Sequence, residues 1–293
     1  MRIDQISQLM KMLISLLISM SIFTSCQRTD NGPALDKPLP AETHLNLAYG
    51  KDTAQKMDIY LPAARTSKTK VLVLIHGGGW ASGDKSEFAA AIPILKQQLP
   101  DYAIVNINYR LANPNTNHFP TQENDVKQAI QYVMDQSKDY SISKDFVLLG
   151  TSAGAHLALL QAYKHASQVK PKAVISFFGP TDMAEMYSRQ YNSYYQYALQ
   201  LLVGGTPSTK PEVFRQASPI HFVSNSSAPT LLLHGGKDGL VPPAQSKKLK
   251  EKLDKAGVPA ELVIYPNEGH GWYGTNQTNS FERIVTFLKK HVD

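Results

Sequence analysis

The sequence predicts an α/β fold: a doubly wound, mostly parallel sheet with a small cap insertion. Short, nearly continuous apolar runs recur along the chain, and stretches with helical spacing separate them. Strand, helix and strand in succession require crossover connections, which favour parallel pairing and put helices on both faces of the sheet. One interval, about residues 182–218, breaks the alternation and is rich in Tyr, Ser, Gln and Asn. It reads as an insertion of short helices over the sheet's carboxyl edge, where open α/β sheets bind ligands.

Composition narrows the function classes. The chain has 293 residues, 42% hydrophobic and 18% charged, enough to bury a sizeable core without disulfides or a structural metal. Its single cysteine excludes an intramolecular disulfide framework, a Cys-rich zinc site and a CxxC redox pair. Thirty Lys and Arg against 24 Asp and Glu give a net charge of +6. No long block of like charges accompanies it, so the surface is mildly basic and solvated, with no nucleic-acid partner expected.

The elements follow in order from the amino terminus. Arg2 and Lys11 precede an apolar stretch from Met12 to Phe23, long enough for a secretory leader and short of the roughly 20 residues that a bilayer-spanning helix needs. Thr24-Ser25-Cys26 follows, and the whole resembles a bacterial lipoprotein signal, in which cleavage exposes the cysteine for lipid attachment. Phe23 departs from that pattern, which usually has Leu there. Residues 1–25 are therefore expected to be a leader and Cys26 a lipidation site. The protein would then be exported and membrane-anchored, in the periplasm or at the surface of a bacterium. Residues 26–43, with Pro33, Pro38, Pro40 and Gly32, read as a flexible tether, and the folded domain is expected over 44–293.

Residues 56–61 alternate with period two, as a half-exposed edge strand would. Residues 71–75, 103–107, 146–149, 173–178, 230–233 and 261–265 are strand candidates, the second type covered on both faces. Helical spacing appears over 123–137 (Val126, Ile130, Val133), after residue 154, over 243–256 (Leu249, Leu253) and over 279–291 (Phe281, Ile284, Leu288).

The chemistry centres on Gly150-Thr151-Ser152-Ala153-Gly154. A strand before this G-x-S-x-G and a helix after it supply the context of a nucleophile elbow. The tight turn sets the Ser152 hydroxyl at a helix amino terminus, where the dipole favours developing negative charge. His76-Gly77-Gly78-Gly79-Trp80 follows the strand at 71–75. Glycines let the main chain approach a substrate, so the N–H groups of Gly78, Gly79 and Ala153 are the expected oxyanion-hole donors. A serine needs a base, and the base an orienting acid. Among nine histidines, His270 lies just past the last strand between glycines, whereas His234 and His156 read as structural. Asp238, after the strand at 230–233, is the preferred acid and Asp182 its rival. The chain order Ser152, Asp238, His270 is that of this architecture. Trp80 and Trp272 flank the expected site, and Asp84 is read as a buttress behind the glycine loop. Tyr187, Tyr191, Tyr194, Tyr195 and Tyr197 either line an acyl or sugar pocket, with Tyr187 and Tyr191 as substrate contacts, or pack the insertion onto the sheet.

At these residues the sequence resembles the α/β-hydrolase superfamily. Within it the resemblance is to the esterase/lipase group with an HGGGW oxyanion loop, hormone-sensitive-lipase-like and feruloyl- or acetyl-xylan-esterase-like. It covers about residues 45–293 and includes Gly83-Asp84-Lys85 and Asn108-Tyr109-Arg110-Leu111. The segment Asn113-Pro114-Asn115-Thr116-Asn117-His118 departs from the acidic, Pro-rich stretch usual there. The resemblance implies a serine esterase that needs neither cofactor nor metal and acts on a small ester or an acylated carbohydrate. Two rivals stay open: a prolyl-oligopeptidase-like peptidase, and an inactive binding protein on the same fold. For the leader, mass spectrometry of the membrane fraction is expected to find a mature chain beginning at a lipid-modified Cys26; an unmodified Cys26 refutes the anchor.

Overall fold

The structure, a computed structural model, describes residues 38–165, 170–188 and 193–292. The expected leader, Cys26, the tether up to residue 37 and Tyr191 lie outside the described residues. Among the described residues eight strands form one sheet: β1 (Glu42–Ala48), β2 (Lys56–Leu61), β3 (Lys70–Ile75), β4 (Tyr102–Ile107), β5 (Phe146–Thr151), β6 (Ala173–Phe177), β7 (Thr230–Gly235) and β8 (Ala260–Tyr265). Their spatial order is β1-β2-β4-β3-β5-β6-β7-β8. β2 pairs antiparallel with β1 and β4, and every other neighbouring pair is parallel. The helices are α1 (Ala91–Gln98), α2 (Thr121–Asp135), α3 (Ala153–Lys164), α4 (Met183–Ser188), α5 (Ser193–Val203), α6 (Pro211–Gln216), α7 (Ala244–Lys255) and α8 (Thr275–His291).

Side-chain alternation along the central strands builds two cores. Val71, Val73 and Ile75 of β3 share one with Val126 and Ile130 of α2, Leu157 of α3 and Leu249 of α7. Leu72 and Leu74 point to the other face, against Ile92 and Leu95 of α1 and Ile284, Phe287 and Leu288 of α8. All five of these β3 residues are fully buried, and each such side chain contributes roughly 1.5–3 kcal/mol of transfer free energy. The continuous apolar runs of β3 to β7 mark strands covered on both sides, as expected, whereas the run at 261–265 does not: β8 lies at the edge of the sheet and is half-buried over most of its length.

Several boundaries differ from expectation. β2 is not an edge strand, because β1 covers it and Met57, Ile59 and Leu61 are buried. β1 carries only Leu45 and Leu47 as large apolar residues, which left it unrecognised. It starts at Glu42, inside the stretch read as tether over 26–43, so a domain start at residue 44 is too late. The reason lies some twenty residues on in the chain. The Arg65 guanidinium pairs with the Glu42 carboxylate and donates to the Pro40 carbonyl, and the Ala64 N–H donates to that of Leu39. α1 is short and contains Pro93, and α8 begins four residues before the expected 279 with a polar first turn.

Two glycines decide how the nucleophile turn fits between β3, β5 and α3. A Cβ on Gly154, in the first turn of α3, would lie 2.0 Å from the Ile75 carbonyl oxygen at the end of β3. One on Gly150 would lie 2.4 Å from the Gly154 backbone. Both neighbours are main chain, which has no rotamer to give. α3 therefore sits closer to the sheet than any side chain allows. Gly154→Ala is expected to destabilise the domain by about 1–3 kcal/mol or more, read as a lowered urea midpoint; an unchanged midpoint would show that the contact is dispensable.

Candidate active site

β5 ends at Thr151, and the next residue, Ser152, has φ 50° and ψ −116° before α3 begins. Such a conformation costs on the order of 1–3 kcal/mol for a residue with a Cβ. Its surroundings hold it there: the Ser152 N–H donates to the Phe177 carbonyl at 2.9 Å, and its carbonyl accepts from the His156 N–H at 3.0 Å. The side chain stands at the carboxyl edge of the sheet and lines a pocket there.

The loops after β7 and β8 bring the other two groups to it. They press together at Gly235, where a Cβ would lie 2.0 Å from the Gly269 carbonyl oxygen. Asp238 Oδ1 accepts from the N–H groups of Leu240 and Val241 at 2.8 and 2.9 Å. Its Oδ2 lies 2.7 Å from His270 Nδ1. His270 Nε2 in turn lies 2.9 Å from Ser152 Oγ. The Asp238 carboxylate is fully buried whereas the His270 ring is 17% exposed. Burial alone raises the Asp238 pKa. Hydrogen bonds from His234 and His270 outweigh it and hold the carboxyl well below the usual carboxylate range, so Asp238 is ionised. A carboxylate only accepts, so His270 Nδ1 carries the proton and Nε2 is left to accept from the serine. This arrangement can take the proton from a hydroxyl as it attacks a carbonyl and return it to a leaving group.

The glycine loop faces Ser152. The Gly77 N–H is already engaged, donating to Glu87 Oε2 at 3.1 Å. Gly78 and Gly79 have φ of 89° and 57°. Tyr109 stacks on His76 with ring centroids 4.2 Å apart and donates to the carbonyls of His76 and Gly77. Burial lowers the His76 pKa to about 4, so the ring is neutral. Gly78, Gly79 and Ser152 line one pocket of about 400 Å³, with Ala153 following at the start of α3. Phe88, Leu95, Leu149, Phe177 and Phe281 form its apolar wall. Among the described residues no group of three His, Cys, Asp or Glu is placed to hold a metal ion.

Other expected residues divide. Trp272 lines the pocket, its indole donating to Ser280 Oγ at 2.9 Å. Trp80 does not: it is fully buried and donates to His156 Nδ1 at 3.0 Å, anchoring the glycine loop to α3. Tyr187 also points elsewhere, its ring edge-on to Phe214 and its hydroxyl accepting from Gln200. Asp182 caps α4, accepting from the Glu185 N–H at 3.0 Å, and makes no bond with His270. Asp84 caps a short 3-10 turn through the Ser86 N–H; the buttress of the glycine loop is Glu87. His234 is structural, bonded to Ser246 Oγ and the Val241 carbonyl. Sequence reasoning named Tyr194 and Tyr195 only as members of the tyrosine cluster and took Tyr187 and Tyr191 as the substrate contacts, yet it is Tyr194 and Tyr195 that line the pocket. The Tyr195 hydroxyl lies 3.2 Å from Ser152 Oγ. The spacing Tyr195, Ala198, Leu199, Leu202 along α5 was the available signal, since it marks the buried face.

A mostly parallel sheet with a serine, a histidine and an acid converging on its carboxyl edge is an α/β-hydrolase. The profile of the BD-FAE family matches residues 57–253, and the chain belongs to that family. It is 28% identical over 240 residues to Esterase LipC of Mycobacterium tuberculosis, covering 76% of this chain and 58% of that protein. With Esterase LipQ of the same organism it shares 29% over 220 residues, 70% of this chain and 51% of that one. The chain thus spans little more than half the length of these relatives. A solved structure described as a truncated form of carbohydrate esterase from gut microbiota superposes with a TM-score of 0.73 at 26% identity, covering 89% of this chain and 99% of that one.

The choice of acid is testable. Asp238→Asn removes the charge that fixes the His270 tautomer and is expected to lower turnover of an activated ester about 10⁴-fold. Asp182→Asn, at a helix cap, is expected to change it less than about threefold. Near-wild-type turnover in the first variant would overturn the assignment.

Proposed function

We propose that the protein is a serine hydrolase that cleaves carboxylic esters through an acyl-enzyme. The observation that carries this reading is the unbroken relay from Asp238 Oδ2 to His270 to Ser152 Oγ, with links of 2.7 and 2.9 Å. Ser152 attacks the ester carbonyl while His270 Nε2 takes its proton. The N–H groups of Gly78, Gly79 and Ala153 hold the oxyanion, a stabilisation available without reorganisation because the loop is already set. The alcohol leaves with the proton from His270. Water then repeats the sequence on the acyl group, and Ser152 Oγ departs.

The substrate we infer is an ester of a small acyl group, acetyl or feruloyl, on a carbohydrate. Two things support it: the likeness to a carbohydrate esterase, and an apolar-walled pocket beside Ser152 that suits an acyl group. Trp272 serves as a wall of that pocket. The leader and Cys26 support a place outside the cytoplasm on a lipid anchor, where such polymers are met.

Ser152→Ala is expected to lower ester turnover by about 10⁴-fold or more with KM nearly unchanged, and to abolish labelling by a fluorophosphonate probe. Full labelling of that variant would exclude Ser152 as nucleophile. p-Nitrophenyl acetate is expected to be cleaved faster than an aminoacyl anilide; the reverse order would make the protein a peptidase.

A further inference from the structure

The protons of the relay have a consequence for the residue above it. His270 Nδ1–H is committed to the Asp238 carboxylate, and Nε2 has only a lone pair to offer, so the single proton of Ser152 goes to His270. Ser152 Oγ therefore has no proton left for its other neighbour, the Tyr195 hydroxyl at 3.2 Å. In that contact Tyr195 must be the donor. Burial pushes its phenol pKa far up, which keeps the proton on it throughout the working range.

Resting on the serine-hydrolase reading above, we propose that Tyr195, contributed by the insertion, is a further catalytic residue that donates a hydrogen bond to the nucleophile oxygen. Ser152 Oγ carries negative charge twice in the cycle. During attack its proton passes to His270 Nε2 as its electron pair forms the bond to the acyl carbon and the carbonyl π pair moves to oxygen. In the second half the tetrahedral adduct collapses, the carbon–Oγ bond breaks with its electron pair on Oγ, and His270 returns a proton. A donor fixed on Oγ stabilises both moments, and Tyr195 keeps its own proton in each. Hydrogen bonds to charged groups are the strong ones, so the contact matters more in the transition states than at rest.

The placement is rigid enough for that task. Tyr195 is 4% exposed and shares the buried face of α5 with Ala198, Leu199 and Leu202. Its ring meets that of Tyr194 edge-on, with centroids 6.0 Å apart. The Tyr194 hydroxyl in turn approaches Gly79, 3.3 Å from where a Cβ would be. The insertion thus reaches the nucleophile and the glycine loop with adjacent residues.

Tyr195→Phe keeps the ring and its packing and removes only the donor. Two rates are to be measured for it and for the wild type: labelling by a fluorophosphonate, which reads attack by Oγ, and steady-state hydrolysis of p-nitrophenyl acetate. The labelling rate and kcat are expected to fall together by about 10–100-fold, with KM within about twofold. A residue that only packs the insertion would leave the labelling rate, kcat and melting temperature of the Phe variant alone. Unchanged labelling and kcat, or a loss carried wholly by KM, would overturn the role of Tyr195 while leaving Ser152 in place. A wild-type enzyme that hydrolyses the ester but never takes the probe would instead overturn Ser152 as nucleophile, and the role of Tyr195 with it.

Discussion

Everything at this site depends on how closely α3 is pressed against the end of β3. Without side chains at Gly150 and Gly154, the first turn of the helix lies against the Ile75 and His76 carbonyls. That contact sets two things at once. It bends the chain at Ser152 into a left-handed conformation that lifts the hydroxyl clear of the sheet, and it brings the glycine loop that begins at His76 beside the helix amino terminus. A longer distance between helix and strand would separate the attacking oxygen from the donors meant for the oxyanion. Trp80 adds a second tie between the same two elements by bonding His156 one turn into α3.

Charge is placed with equal economy. Asp238 loses its water entirely, yet His234, His270 and two backbone N–H groups surround it, so it stays ionised where an isolated buried carboxyl would not. The two other histidines nearest the machinery are kept neutral. Burial brings His76 and His156 down to about 4, and each is bonded to a main-chain carbonyl. His270 is thus the imidazole left in contact with both an acid and a nucleophile.

How much of this was legible in the sequence depends on range. The elbow and the glycine loop are local devices, a few residues long, whose spacing states their geometry. Asp238 and His270 were legible because each follows a strand whose carboxyl end must lie on one rim. The insertion was legible as an interruption, but not which of its tyrosines faces the serine. Tyr187, Tyr194, Tyr195 and Tyr197 differ only by their angle around two short helices. Trp80 misled because it adjoins the glycines in sequence; at φ 62° the chain turns there and sends the indole inward. Glu87 and β1 depend on partners 10 to 23 residues away, and no short-range pattern marks them.

The segment 113–118, which departs from the pattern of the esterases it resembles, ends at His118, and this residue and Phe119 form the seat of the insertion. The Phe119 N–H donates to the Leu202 carbonyl, His118 Nδ1 lies 2.7 Å from the Leu201 carbonyl, and Gly204 leaves room for the imidazole. Seat and insertion are therefore complementary surfaces, shaped to one another. Grafting a foreign insertion without its own seat would leave the carbonyls at the end of α5 without donors and α5 itself free to shift. A working exchange of the insertion must therefore carry its seat with it, as a tumbler goes with its lock.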